Sequence, residues 1–274
     1  MGGFRLGICM WGFPMQGPTG VRIAAEMGFE GAEIDLGPYE NGYPLANPKI
    51  QNEYRSVSRD FGIKITSVAV ELLNRYGLTN PLDTRKGMIA MEGCKRAIDA
   101  AAQMEVPVVQ LPSFHDGAIL DEEGFLNTCE KIRLLCECAK DAGVILAGEN
   151  ALSVSDSRRM IEEVNCENFK LIFDTQNYFL AGVPDTAQQL RELAPYVVQI
   201  HLKDGYHRKL SSALLGTGET GFLETAAVIK ETACSEWLLL ENYYNQEPLV
   251  RLDNDQFQTV KKDMEIARRI FELR

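Results

Sequence analysis

Several shortages bound this 274-residue sequence before any motif is read. Basic residues are scarce: 28 Lys and Arg stand against 39 Asp and Glu, a formal net charge of −11. Polyanion affinity depends on Lys and Arg neutralising phosphates, so nucleic acid and anionic membrane surfaces are disfavoured partners. No apolar run approaches the ~18 residues of a membrane-spanning helix. The stretch Met1–Met10 has no signal-peptide core, and Leu6 breaks the myristoylation pattern. No Cys-x-x-Cys occurs among Cys9, Cys94, Cys129, Cys136, Cys138, Cys166 and Cys234. An odd, scattered set in a chain this long reads as reduced thiols rather than a disulfide framework. Cys136 and Cys138 lie two apart on a helical pattern and so face different ways, a poor metal clip. The expectation is a soluble, cytoplasmic protein.

What is present is rhythm. Short apolar, β-branched runs recur at Phe4–Met10, Gly31–Leu36, Ile63–Val70, Pro107–Pro112, Val144–Glu149, Phe169–Asp174, Tyr196–Leu202 and Trp237–Glu241. Several lack clean alternation, as parallel strands buried on both faces do. Segments of helical spacing lie between them, clearest at Val21–Met27, Arg85–Met104, Gly124–Ala142, Asp156–Val164 and Gln256–Leu273. Gly28, Gly62 and Gly143 each follow a helical pattern and precede a strand, where left-handed caps favour glycine. Eight strands alternating with eight helices, with no linker breaking the series, predict one (β/α)8 TIM barrel domain over residues 1–274. An open doubly wound sheet would carry a glycine-rich phosphate turn after its first strand. Here that strand runs into Cys9-Met-Trp-Gly-Phe-Pro14. Gly216-Thr-Gly-Glu-Thr-Gly221 does match G-x-G-x-x-G, but it follows no strand directly and reads as a loop after strand seven.

A barrel works at the C-terminal ends of its strands. Those ends deliver Trp11, the pair Glu33 and Asp35 on one strand face, Glu71, His115, Glu149, Asp174, His201 and Glu241. Charged residues just past a strand are common, since strands end where solvent begins. Four in succession are less easily dismissed: Glu149, Asp174, His201 and Glu241 each end an apolar run. Three carboxylates and one imidazole brought to a point repel strongly, and a divalent cation is the natural remedy. Such an oxygen-rich set suits Mn2+ or Mg2+ first, then Co2+ or Zn2+. Glu149-Asn150 and Glu241-Asn242 echo each other, as if the site drew a similar pair from strands five and eight.

Gly-Phe-Glu-Gly-Ala-Glu33, Glu149-Asn150, Phe-Asp174-Thr, Ile-His201-Leu-Lys-Asp204, Leu-Gly216-Thr-Gly218 and Leu-Glu241-Asn, in this order, cover essentially the whole chain. Together they resemble the xylose isomerase-like TIM barrel superfamily, and within it the sugar phosphate isomerase/epimerase family. The resemblance implies a divalent metal held by Glu149, Asp174, His201 and Glu241. It also implies that Glu149 and Glu241 serve as the acid/base pair of an epimerase. Many members carry Asp-x-x-His after strand six, where this chain has Asn177, an amide that can hydrogen-bond a hydroxyl but cannot exchange protons. The Arg common after the strand-seven His has His207 and Arg208 as its nearest counterparts.

The expected activity is isomerisation or epimerisation of a small keto sugar or related polyol, by proton abstraction next to a carbonyl through an enediolate. The same site would serve a lyase, either a dehydratase of a keto-inositol or keto-acid or an enzyme cleaving an oxidised glycoside. A non-catalytic sugar-binding or partner subunit is the remaining alternative. A DNA-repair endonuclease, known in the wider superfamily with a His-rich multi-zinc site, fits neither three histidines nor a charge of −11. Candidate substrate contacts are His115, Asn177, Arg208, Trp11, Glu71 and Lys203. Lys203 and Asp204 could instead orient His201, Phe13 could wall the pocket beside Trp11, and His115 reads equally as a loop histidine. Little basic charge at the rim favours an unphosphorylated substrate, and a homo-oligomer is compatible with the resemblance.

Overall fold

The computed structural model describes residues 3–273. Met1 and Gly2, where part of the leader reading falls, lie outside them. Strands β1 (Arg5–Cys9), β2 (Gly31–Asp35), β3 (Lys64–Ala69), β4 (Val108–Pro112), β5 (Ile145–Glu149), β6 (Phe169–Asp174), β7 (Val197–Leu202) and β8 (Trp237–Leu240) join in sequence order into a closed barrel. The pairs β1–β2, β3–β4, β4–β5 and β7–β8 are parallel, as is β1 with β8, which closes with Arg5 opposite Trp237 and Ile8 opposite Leu240. Helices α1 (Gly17–Met27), α2 (Pro48–Phe61), α3 (Arg85–Met104), α4 (Glu122–Asp141) and α5 (Val154–Val164) follow the first five strands in turn. The short α6 (Asn177–Leu180) and α7 (Thr186–Leu193) share the sixth connection, α8 (Phe222–Thr232) fills the seventh, and α9 (Gln256–Phe271) closes the chain. No helix among the described residues is long and apolar enough to cross a membrane.

The helices start and stop where local chemistry says they should. Thr84, Asp121, Ser153, Asp185 and Asp255 each accept a backbone N–H of the first turn, satisfying donors that the helix cannot. Gly28 ends α1 at φ 100°, a left-handed conformation that is strained for any side chain. Helix α4 begins two residues earlier than its apolar spacing implies, because Asp121 caps it and Glu122 and Glu123 suit the positive end of the dipole.

Packing divides the chain into two compact units. One contains residues up to Glu33, Val57–Lys64 and everything from Ile172 onward. Its strands β1, β7 and β8 bring Ile8, Ile200, Leu238, Leu239 and Leu240 to full burial. Each such side chain withdrawn from water contributes about 1.5–3 kcal/mol. The other unit contains Ile34–Ser56 and Ile65–Leu171, and stacks α3, α4 and α5 with β4 and β5 in the register Val108 to Ile145 and Pro112 to Glu149. All seven cysteines are free thiols.

Close packing between strands leaves little tolerance at Gly7. A Cβ there would stand 2.3 Å from the Leu239 Cδ2 and 2.9 Å from the Gly31 carbonyl oxygen. Gly7→Ala is therefore expected to cost about 1–3 kcal/mol in urea unfolding, through overpacking. An unchanged midpoint would show that β1 yields more easily than the register implies.

Candidate active site

The strand ends of the first unit build a dry, charged cluster. Asp174 is the last residue of β6, and its Oδ1 accepts the backbone N–H groups of Gln176 and Asn177 at 2.7 and 2.6 Å. This Asx-type turn fixes the carboxylate's orientation. Along β7 and just beyond it, Gln199, His201 and Lys203 alternate onto one face, as a two-residue period requires. Glu241 stands one residue past β8, and its backbone N–H still donates to the Leu202 carbonyl of β7 at 3.0 Å.

Three groups meet at the Glu241 carboxylate and a fourth reaches it through one of them. Trp11 Nε1 donates to Oε1 at 2.9 Å, while Lys203 Nζ and His201 Nδ1 approach Oε2 at 2.8 and 3.1 Å. The fourth is Asp174, joined to Glu241 through Lys203, whose ammonium lies 3.1 Å from Asp174 Oδ2. The other edge of the His201 ring faces Glu33, with Nε2 2.8 Å from Oε2. That same oxygen accepts Gln199 Nε2 at 3.2 Å and the Cys9 thiol at 3.3 Å. Cys9 and Glu33 are register partners on β1 and β2. Burial pushes the Cys9 thiol well up, so it stays protonated and donates. Burial also pushes the Glu241 carboxyl up, but the opposing pulls, the largest of them from the Lys203 ammonium, hold the group well below the ordinary carboxylate range.

The ligand atoms of Asp174, His201 and Glu241 lie within 4.8 Å of one another, and all three residues are buried. A histidine that turns one nitrogen to a carboxylate and the other to an acidic cluster is the common dress of a metal ligand. The Lys203 ammonium resting on two of these carboxylates shows that the place calls for positive charge. The donor set fits a hard or borderline divalent ion.

In the second unit, Glu149 ends β5 with a buried carboxylate that accepts a hydrogen bond from Gln110 Nε2. The Glu149 carbonyl accepts the Ser113 N–H at 2.8 Å. Glu71 is half-buried; its backbone N–H donates to Asp35 Oδ1 at 3.2 Å and its own Oε2 accepts Asn74. His115 is exposed in a short turn at φ 50°.

Several residues chosen from sequence have other structural work. Asn177 is half-buried at the start of α6 and offers its backbone N–H to Asp174. Arg208 is exposed and donates to the Leu180 carbonyl at 2.6 Å. The Asp204 carboxylate accepts the N–H of Gly205 and of Gly218 and the Thr220 hydroxyl, fastening the 216–221 loop. The Glu-Asn echo also dissolves. Asn150 Oδ1 caps the Leu152 N–H, and Asn242 donates to Ala213 and Asp263 and accepts from Ser211. Phe13 is fully buried, edge-on against Phe257. Sequence reading assigned no role to Cys9, Glu33, Gln199 or Gln110. The available signal was their position, a polar side chain inside an otherwise apolar or small-residue strand.

A parallel eight-stranded barrel carrying a buried acid–imidazole cluster at its strand ends is a TIM barrel with a candidate metal site. The chain belongs to the xylose isomerase-like TIM barrel family, whose sequence model matches residues 21–270. It is 33% identical over 267 residues to the 2-epi-5-epi-valiolone 7-phosphate 2-epimerase of Actinoplanes sp. (strain ATCC 31044 / CBS 674.73 / SE50/110), covering 97% of this chain and 94% of that one. Its fold matches the D-psicose 3-epimerase of Clostridium cellulolyticum H10, crystallised with D-tagatose, at a TM-score of 0.79 and 15% identity, over 98% and 99% of the two chains. A xylose isomerase-like TIM barrel protein of Mycobacterium smegmatis, solved in complex with magnesium, matches at 0.72 and 16% identity, over 98% and 96%.

The Lys203 pairing makes a pH-dependent prediction for metal-stripped protein. A carboxyl held below its unfolded pKa of about 4.3 contributes stability that is present above that pH and is lost as pH falls toward the folded value. Lys203→Met should lower stability near neutrality by about 3–5 kcal/mol, since it leaves buried carboxylates without their cation. It should also lose less further stability on acidification than the wild type, because Glu241 is no longer held down. Urea unfolding at neutral and acid pH measures both. Parallel pH curves for the two proteins would refute the account of Glu241.

Proposed function

We propose that the protein is a divalent-metal-dependent epimerase or isomerase of a small keto sugar or related polyol. The observation that carries this reading is the buried Asp174–His201–Glu241 set, whose donor types suit a metal and whose strand-end position suits a substrate. Glu149 is the proposed fourth ligand. In support, Glu149 ends β5 as Asp174 ends β6, and its carboxylate is buried. The Actinoplanes relative, similar over nearly the full length of both chains, is named for epimerisation of a valiolone phosphate. A keto-cyclitol, phosphorylated or not, therefore stands beside keto sugars as a substrate class.

A bound Mn2+ or Mg2+, with Co2+ or Zn2+ as substitutes, would supply polarisation of the substrate carbonyl and a neighbouring hydroxyl, which makes the adjacent C–H acidic enough to leave. The chain's own residues then divide the proton work. Glu149 takes the proton from one face of that carbon and Glu241, entering the step in its protonated form, returns one to the other, inverting the centre; return to the neighbouring carbon gives isomerisation instead. Trp11 and Lys203 hold the Glu241 carboxylate in place, so its proton transfer has a fixed direction. Lys203 and Trp11 are also placed to meet substrate hydroxyls. Glu71, His115, Asn177 and Arg208 are proposed to contact more distal parts of the substrate.

Two variants test the reading. Asp174→Asn should fold normally yet lose the roughly one equivalent of divalent ion that elemental mass spectrometry is expected to find in wild type. Full activity of chelator-treated wild type would end the metal claim. Glu149→Gln should abolish exchange of the substrate's α-proton with D2O across a panel of ketoses and keto-cyclitols. Unchanged exchange would remove Glu149 as the base, and release of water from the substrate would identify a lyase.

A further inference from the structure

We propose that Glu33 fixes the tautomer and orientation of His201, so that Nδ1 presents its lone pair to the Asp174–Glu241 cluster. The inference rests on the metal reading above for its purpose, but its geometry stands without an ion. His201 and Glu33 are both fully excluded from solvent. The imidazole lies between two carboxylates, with Nε2 2.8 Å from Glu33 Oε2 and Nδ1 3.1 Å from Glu241 Oε2. A neutral imidazole has a single N–H, and only one of these contacts can receive it.

The surroundings decide which. Glu241 already has the Lys203 ammonium at 2.8 Å and the Trp11 N–H at 2.9 Å. Among the described residues no lysine or arginine pairs with Glu33; its Oε2 is met by the neutral donors Gln199 and Cys9 at 3.2 and 3.3 Å. With the proton on Nε2, the shortest contact of the ring becomes a charge-assisted hydrogen bond. With the proton on Nδ1, two lone pairs would face each other across 2.8 Å; with it on Nε2 the facing pair is 3.1 Å apart, and the Glu241 oxygen is already met by the Lys203 ammonium. The first arrangement leaves the Nδ1 lone pair directed at the acidic cluster, which is what a metal ligand needs. It also strengthens that nitrogen as a donor, as carboxylate partners of ligating histidines do.

Gln199 and Cys9 give this arrangement its rigidity. Gln199 lies two residues before His201 on the same face of β7, and its amide N–H donates to Glu33 Oε2 at 3.2 Å, so that it and His201 Nε2, 3.3 Å away, are two donors converging on one acceptor. Cys9 reaches Glu33 from the neighbouring strand at the same register. A buried carboxylate is expensive to keep in a barrel. Glu33 makes sense there as the positioning residue of His201, holding the ring without touching substrate.

The test uses the full chain with Glu33→Ala, Glu33→Gln and Glu33→Asp. Long-range 1H–15N spectra of the metal-free protein report the tautomer of each of the three histidines, with His201 assigned by His201→Asn. Wild type is expected to show Nε2–H at His201, and Glu33→Ala to shift the ring toward Nδ1–H. Co2+ titration against a competing chelator should show one ion per chain with affinity weakened about 10–100-fold in Glu33→Ala. Glu33→Gln keeps the shape and an acceptor oxygen, so it should fall between Glu33→Ala and wild type. It also carries the test if the alanine variant does not fold.

A wild-type Nδ1–H tautomer, or wild-type Co2+ affinity in Glu33→Ala, overturns the proposal. So do two ions per chain in wild type with one lost in Glu33→Ala, because Glu33 would then be a ligand alongside Cys9 and His201. A wild type that takes up no ion defeats the metal reading separately. The tautomer spectra then decide on Glu33 alone, supporting it if Nε2–H is present and lost in Glu33→Ala.

Discussion

Negative charge with almost no water to dilute it governs the strand ends of the first unit. Asp174, Glu33 and Glu241 carry carboxylates into places where little or none of the side chain meets solvent. Each must find donors or a cation, since an isolated buried carboxylate costs several kcal/mol. The solutions differ. Asp174 takes two backbone N–H groups of its own turn, Glu33 takes an imidazole, an amide and a thiol, and Glu241 takes an indole, an ammonium and the same imidazole. His201 and Lys203 are thereby shared between acids, and moving one would disturb several. This sharing makes the cluster rigid, and a cation-seeking centre is its natural chemical consequence.

A second polar network, close in sequence but distinct in role, holds the loops that frame this end. Asp204 gathers Gly205, Gly218 and Thr220, and a Cβ at position 218 would stand only 2.2 Å from its Oδ1. The glycine there is demanded by the carboxylate that grips the loop, and phosphate binding is not needed to explain the G-x-G-x-x-G match. Asn242 ties β8 to the loop after β7 and to Asp263 of α9, which also accepts the Tyr244 hydroxyl and the Leu215 N–H. Burial pushes the Asp263 carboxyl up to about 6, against the pull of these hydrogen bonds. Polar residues at strand ends therefore serve two masters, the chemistry and the scaffold.

That division explains where sequence reading succeeded and where it did not. Periodicity and capping residues are local properties, so the alternation of strands and helices, the barrel, and left-handed Gly28 were all legible. The placement of Asp174, His201 and Glu241 at successive strand ends followed from the barrel, and the structure does bring these three together with Trp11 and Lys203. Asn150, Asn242, Asp204 and Phe13 were weaker candidates, and their side chains turn to scaffold contacts that a one-dimensional pattern does not reveal, since it says that a residue lies at a strand end without saying which way its side chain turns.

The sequence by itself thus determined the rhythm of the chain and the inventory of polar groups at the strand ends, because both depend on neighbours a few residues apart. Only the tertiary structure decided which of those groups face one another. Glu33 meets Gln199 across 166 residues, and Trp11 meets Glu241 across 230. No spacing within a strand encodes such a meeting. It arises when β1 closes on β8 and the barrel's curvature turns inward-facing side chains toward a common axis, where exclusion of water makes each hydrogen bond obligatory.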